Sequence, residues 1–263
     1  MPPDSSTRMR ARSHVATELR SRISCVSTLH AEAPVLLRLT RPKEPDPWPV
    51  PGAARVSLTA GAAGPIGGDE YRLDVEVGVG STLVLQDVSP TLLLPGPDGA
   101  TSRHTVQVRV AAGATLIWLA EPLIAAHGCR HRQDIAVDLH PSARLLMREE
   151  LVLGRCGETS GNVFLHSRIR RDGDTLYCQE LAVGPDAPGY DGAAVLAGAG
   201  AVGSVLVVDP AWQVRPPDAR VLSSGAALLP LAGPAALVSA VAADSLALRR
   251  DLGAGLVDLG LIR

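Results

Sequence analysis

The stretch Tyr71-Arg72-Leu73-Asp74-Val75-Glu76-Val77-Gly78-Val79-Gly80-Ser81-Thr82-Leu83-Val84-Leu85 decides the fold class. Apolar Tyr71, Leu73, Val75 and Val77 alternate with charged Arg72, Asp74 and Glu76. That period of two puts the apolar set on one face of a strand. Gly78-Val79-Gly80 turns the chain, and Leu83-Val84-Leu85 reads as the next strand. The same phrase recurs. Thr105 to Val110 alternates, Ala111-Ala112-Gly113 turns, and Thr115 to Leu119 is apolar. Ile135, Val137 and Leu139 alternate, His140-Pro141-Ser142 turns, and Arg144 to Val152 follows. Phe164 to Arg170 alternates, Arg171-Asp172-Gly173-Asp174 turns, and Thr175 to Val183 follows. Short strands separated by Gly, Pro and Asp turns predict a mainly β protein of stacked antiparallel or mixed sheets, arranged as stacked hairpins.

Working outward, Pro234 suits a first helical position. Leu237, Val241, Leu248 and Leu252 then fall on one side of a helix near the C-terminus that Gly253 would stop. Arg41 to Gly52 carries Pro42, Pro45, Pro47, Pro49 and Pro51 and reads as an extended surface loop. Met1 to Arg12 is polar and reads as a disordered arm, with residues 13–263 as one β-rich domain. Val221 to Ala243 is uncharged but weakly hydrophobic, and reads as a buried turn leading into the helix rather than a membrane span.

Composition narrows the function. The chain has 263 residues, 46% hydrophobic and 20% charged, with a formal net charge of -2. Without a basic excess, nucleic acid is not the expected partner. The single lysine, Lys43, leaves no second one for Schiff-base or phosphate chemistry. Cys25, Cys129, Cys156 and Cys178 are scattered singly, which fits free thiols in a reducing cytoplasm better than a disulfide scaffold or a structural zinc site. The N-terminal arginines are followed by no apolar segment of an export signal.

Motifs for chemistry fail one by one. Gly198-Ala199-Gly200-Ala201-Val202-Gly203 matches G-x-G-x-x-G, but a dinucleotide site needs a helix to start there, and strand-like Val205-Leu206-Val207-Val208 follows. The expected alternative is a small-residue strand packed closely on a neighbour. No Walker A, H-E-x-x-H or G-x-S-x-G occurs. Glu149 and Glu150 are adjacent on a strand and point to opposite faces, so they cannot act together as acid and base. His127, Cys129 and His131 would share one face if that segment were extended, and these groups suit nickel, copper or zinc. A surface loop carrying polar residues by chance is the plainer reading.

Five phrases in order resemble the UreD (UreH) family of urease accessory proteins. Gly64-Pro65-Ile66-Gly67-Gly68-Asp69 resembles its P-x-G-G-I-x-G-G-D signature. Ala112-Gly113-Ala114-Thr115-Leu116-Ile117-Trp118-Leu119 resembles G-A-x-L-E-W-L-P, with Glu121-Pro122-Leu123-Ile124 after it. Val137-Asp138-Leu139 and Ser142-Ala143-Arg144-Leu145 resemble V-D-L-x-P-G-A-R-L. Glu149 with Leu153-Gly154-Arg155, then Gly157-Glu158, resembles E-x-x-x-L-G-R and its following G-E. Gln86 to Leu94 departs from the family's T-Q-A-A-T-K-V-Y strand, and the chain after Pro210 matches poorly.

The resemblance implies a non-enzymatic cytoplasmic scaffold that acts with UreF and the GTP-binding UreG. It implies docking on apo-urease and nickel passing through a polar interior tunnel, with no permanently bound cofactor and no membrane or nucleic-acid partner. Asp69 and Glu149 match motif acids that would line such a path, mattering for urease activation and little for folding. His127, Cys129 and His131 are the rival metal site. For Asp69 the competing role is capping the turn after Gly67-Gly68, and for Glu149 a salt bridge.

Overall fold

The computed structural model describes residues 8–41, 48 and 50–262. In chain order the strands begin β1 (Arg10–Arg20), β2 (Ile23–Ala31), β3 (Val35–Leu39), β4 (Ala54–Ala60), β5 (Glu70–Val77) and β6 (Thr82–Asp87). Next come β7 (Thr91–Leu93), β8 (Ser102–Val110), β9 (Thr115–Leu119), β10 (Leu123–Ala125), β11 (Arg130–Leu139) and β12 (Arg144–Val152). The last are β13 (Asn162–Arg171), β14 (Asp174–Val183), β15 (Ala201–Val208), β16 (Arg220–Ser223), β17 (Ala226–Pro230) and β18 (Ala235–Ala242), followed by helix α1 (Ser245–Asp258).

These strands form two stacked mixed sheets. The seven-stranded sheet runs β14-β13-β11-β8-β5-β1-β2. The eleven-stranded sheet runs β16-β17-β18-β15-β12-β9-β6-β4-β3, with β7 and β10 attached off that path. The strand pairs β5/β6, β8/β9 and β11/β12 are not hairpins. Each turn instead carries the chain from the first sheet to the second, and equivalent strands stack in parallel. Of these four repeated phrases, the one turning at Asp172-Gly173 does close a hairpin, β13 to β14.

The reason lies in burial. β5, β8 and β11 alternate because one face is open to solvent, whereas Leu83-Val84-Leu85, Leu116-Ile117-Trp118 and Leu145-Leu146-Met147 are buried on both faces. Strands with such different surroundings belong to different sheets, and continuous apolar runs are the mark of doubly covered parallel strands.

Register turns the repeated phrase into columns. Val15 pairs with Val75, Val75 with Val108, Val108 with Val137, and Val137 with Ile169. Facing them, Leu83 pairs with Leu116, Leu116 with Leu145, and Leu145 with Val208. All are buried in one cluster between the sheets. Full burial of each such side chain is worth about 1.5–3 kcal/mol.

The outer face of the larger sheet is covered by α1 through Leu248, Leu252 and Leu256, and by Trp48. Trp48 was expected on a surface loop. It is buried, with the Arg144 guanidinium 4.0 Å from its ring. The remaining prolines of that run at 42, 45, 47 and 49 lie outside the described residues, as do residues 1–7 of the expected arm. Arg10 to Arg12 already form the start of β1.

The helix also begins later than expected. Ala235–Ala242 is a strand paired to β15, and Val221 to Ala243 is spent on β16, β17 and β18. Asp244 caps α1 by accepting a hydrogen bond from the Ala247 N–H at 2.8 Å. Gly253 lies inside the helix. Gly255 lets it approach the sheet, since a Cβ there would sit 2.5 Å from the Val238 side chain. Among the described residues no helix is long and apolar enough to cross a membrane.

Candidate functional site

The inward columns change character toward one end of the sandwich. Tyr71 pairs with His104, His104 with Gln133, and Leu73, Val106 and Ile135 lead to Ser167. Opposite them the larger sheet presents Trp118, Met147 and Glu149. Between lies a cavity of about 320 Å³ whose polar walls include Asp87, His104, Glu121, His131, Glu149 and Glu150. A smaller cavity of about 40 Å³ is lined by Ser167, Gln179 and Ser204. Glu149 borders both.

Glu149 is held from across the sandwich. Ser167 Oγ lies 2.9 Å from each of its carboxylate oxygens and donates its one proton to them. Burial pushes the Glu149 carboxyl up from its ordinary value, and the Ser167 bond only partly offsets this. Asp87 is also raised, to about 7, by burial, with the Glu121 N–H opposing the rise and the neighbouring Glu121 charge adding to it. The imidazoles respond oppositely. Burial lowers His104 to about 4 and His131 to about 3, so both are neutral at physiological pH. Among the described residues, His104 Nε2, His131 Nε2 and Trp118 Nε1 are buried without a protein hydrogen-bond partner. These groups are polar points on a cavity wall that is otherwise largely apolar.

The adjacent acids part company as expected. Glu150 turns toward α1, where Arg148 and Arg249 hold it, while Glu149 faces Ser167. Glu121 joins Arg148 and Arg249 at 3.3 and 2.6 Å.

Asp69 stands elsewhere. Its Oδ1 accepts the Met9 N–H, and its Oδ2 accepts the Ile66 N–H and the Tyr71 hydroxyl at 2.7 Å. It is buried and bonded at both oxygens, and the residue it delivers to the cavity wall is Tyr71. This bonding ties the start of β1 to the turn before β5, so Asp69 has the turn-holding role that the sequence offered beside a place on the path.

His127, Cys129 and His131 do not share one face. The chain turns at Gly128 and β11 starts only at Arg130, leaving His127 exposed. Cys129 packs among Leu93, Leu151 and Val163, and its thiol is pushed up to about 11 by burial. His131 alone reaches the cavity, its Nδ1 2.9 Å from Ser102 Oγ. Among the described residues no group of three His, Cys, Asp or Glu could hold a metal ion.

The dinucleotide motif runs from a turn into a strand. β15 runs through Gly203, where a Cβ would lie 2.7 Å from the Glu149 carbonyl oxygen. The glycine serves close strand packing beside Glu149, and no helix N-terminus is present to face a pyrophosphate.

Comparison with known proteins decides the family. The family model described as UreD urease accessory protein matches residues 9–257. This chain belongs to the UreD family of urease accessory proteins. The family match runs well past Pro210, where the sequence phrases match poorly. The chain is 45% identical over 232 residues to the urease accessory protein UreD of Streptomyces coelicolor, covering 88% of this chain and 89% of that protein. It is 42% identical over 239 residues to urease accessory protein UreD 3 of Streptomyces griseus, covering 90% and 91%. The UreD of Frankia alni is 43% identical over 255 residues, covering 90% and 85%. Family membership gives the chain a role in urease maturation.

Proposed function

We propose that this UreD-family chain is a non-catalytic cytoplasmic scaffold that works with UreF and the GTP-binding UreG, docks on apo-urease and passes nickel between its two sheets. The observation that carries this reading is Glu149, a carboxylate set between two interior cavities and oriented by one hydroxyl. Carboxylate oxygens hold a borderline cation weakly enough to hand it on, unlike a His and Cys cage. A carboxyl raised by burial exchanges its proton for an arriving cation, so binding and proton release are linked. Asp87 repeats this arrangement in the same cavity wall. Asp69 enters as the residue that fixes Tyr71 at the wall, and His131 as a neutral imidazole there.

The test is co-expression with a urease operon carrying Glu149→Gln, Asp69→Asn or a His127/Cys129/His131 triple alanine variant. Nickel content, urease activity and pull-down of UreF and UreG are measured together. Glu149→Gln should assemble the complex and lower nickel delivery. Normal activation by that variant overturns the path. Purified protein should show no turnover of GTP, esters or NAD(P)H.

A further inference from the structure

The solvent face of the smaller sheet carries a second set of groups, unconnected with the cavity. Asp134 on β11 and His166 on β13 are register partners. Cys178 on β14 pairs with Arg168, which places it diagonally beside His166. Cys178 Sγ lies 3.8 Å from His166 Nε2, and His166 Nδ1 lies 3.3 Å from Asp134 Oδ1. Arg132 grips both Asp134 oxygens, at 2.7 and 2.6 Å, and its own guanidinium rests 4.4 Å from the Phe164 ring. The carboxylate is therefore fixed and ionised, its carboxyl held below the usual range by Arg132.

A fixed carboxylate against Nδ1 selects the tautomer that carries its proton there. The Nε2 lone pair is then left facing the thiol. Nucleophile, base and orienting acid follow in order, the arrangement by which a thiol is activated. Cys178 is exposed on an edge strand, so the sulfur is open to reagents.

We propose that Cys178 is a nucleophilic thiol activated by His166, and a covalent modification site for low-molecular-weight disulfides and soft electrophiles. In the exchange step the Cys178 S–H proton passes to His166 Nε2 while the sulfur attacks one sulfur of the disulfide. The disulfide's S–S bond breaks and a Cys178–S–S–R bond forms. The departing thiolate takes the proton from His166 and leaves as a thiol. One disulfide replaces another, so no outside oxidant is needed. Asp134 acts as a positioning residue. The backbone N–H groups of β13 around His166 are committed to its pairing with β11 and β14. The product is a stable adduct rather than a turnover cycle.

The experiment uses the full chain, pulsed separately with iodoacetamide and with glutathione disulfide, and reads each cysteine by peptide mass mapping. Cys156, also exposed, is the internal reference, and buried Cys129 reports on folding. Cys178 should react about tenfold faster than Cys156 at neutral pH. His166→Gln should bring it to the Cys156 rate without altering Cys156, and Asp134→Asn should fall between. Equal rates for Cys178 and Cys156 in the unaltered protein overturn the proposal without need of any variant. An advantage that survives His166→Gln overturns it as well.

Discussion

Ser167 Oγ, from the smaller sheet, sits 2.9 Å from both carboxylate oxygens of Glu149, from the larger one. This bond spans the sandwich where its packed interior gives way to the two cavities. Glu149→Gln keeps the shape and a hydrogen-bonding partner for Ser167 but removes the charge a cation needs. Urease activation in cells should fall about tenfold, and Ser167→Ala should give a smaller loss by freeing the carboxylate to rotate. The melting temperature of the isolated chain should stay level or rise for Glu149→Gln, because a buried ionisable group is removed.

Asp69→Ala should weaken the fold. The carboxylate satisfies two backbone donors and the Tyr71 hydroxyl. Leaving such buried donors unmet costs about 1–3 kcal/mol each, so a total near 3 kcal/mol is expected in urea unfolding, with partial recovery in Asp69→Asn. An unchanged midpoint would remove the folding role and return Asp69 to the path.

The Asp87 carboxyl sits near 7 in the folded chain against an ordinary value of 3.8. A carboxyl raised by folding contributes stability in its protonated form, which is lost as pH climbs from the ordinary value through the folded one. Asp87→Asn is neutral throughout and can still accept the Glu121 N–H. The variant should match the parent near pH 4 and exceed it by on the order of 4 kcal/mol at pH 8. His104 and His131 act in the opposite sense, costing stability as pH falls below their ordinary value of 6.5, but they are common to both proteins and cancel in the difference. Thermal unfolding of both across that range is the measurement, and a gap that does not widen with pH refutes the assignment.

Local alternation made the strands from Tyr71 to Val183 legible, because each needs only its own residues to show a buried face. Their distribution between sheets was written in Leu83-Val84-Leu85 and its counterparts, whose unbroken apolar runs exclude a half-exposed hairpin partner. The C-terminal helix was misplaced because Leu237 and Val241 satisfy a helical spacing as well as a strand. The deciding signal was the Asp244-Ser245 cap. Glu149 could be picked out only through its family phrase. Its partner Ser167 was hidden, since their meeting depends on the stacking of two sheets and on Ile135 aligning Ser167 with the inward column. The Cys178, His166 and Asp134 row spans three strands and carries no contiguous motif.

Two arginines and two acids fasten α1 to the larger sheet. Arg249 donates to Glu121 at 2.6 Å and to Glu150 at 3.0 and 3.2 Å, while Arg148 reaches the same two acids from β12. The Glu150 side chain is 0% exposed, and burial pushes its carboxyl upward against the pull of both arginines. Removing one cation leaves that buried acid half-compensated, which is the damaging way to break such a network. Arg249 is itself partly open to solvent, so its loss is screened, and Arg249→Met should cost about 1–2 kcal/mol rather than the full price of an orphaned charge. Arg250, exposed on the same helix, should cost almost nothing when changed to Ala. Hydrogen exchange should show α1 opening earlier in Arg249→Met, with β5, β8 and β11 unaffected. In Arg249→Met combined with Glu150→Gln, the penalties should be less than additive, because the second change discharges the acid the first left exposed to desolvation. Strict additivity would mean that Arg249 and Glu150 do not act on the helix as a pair.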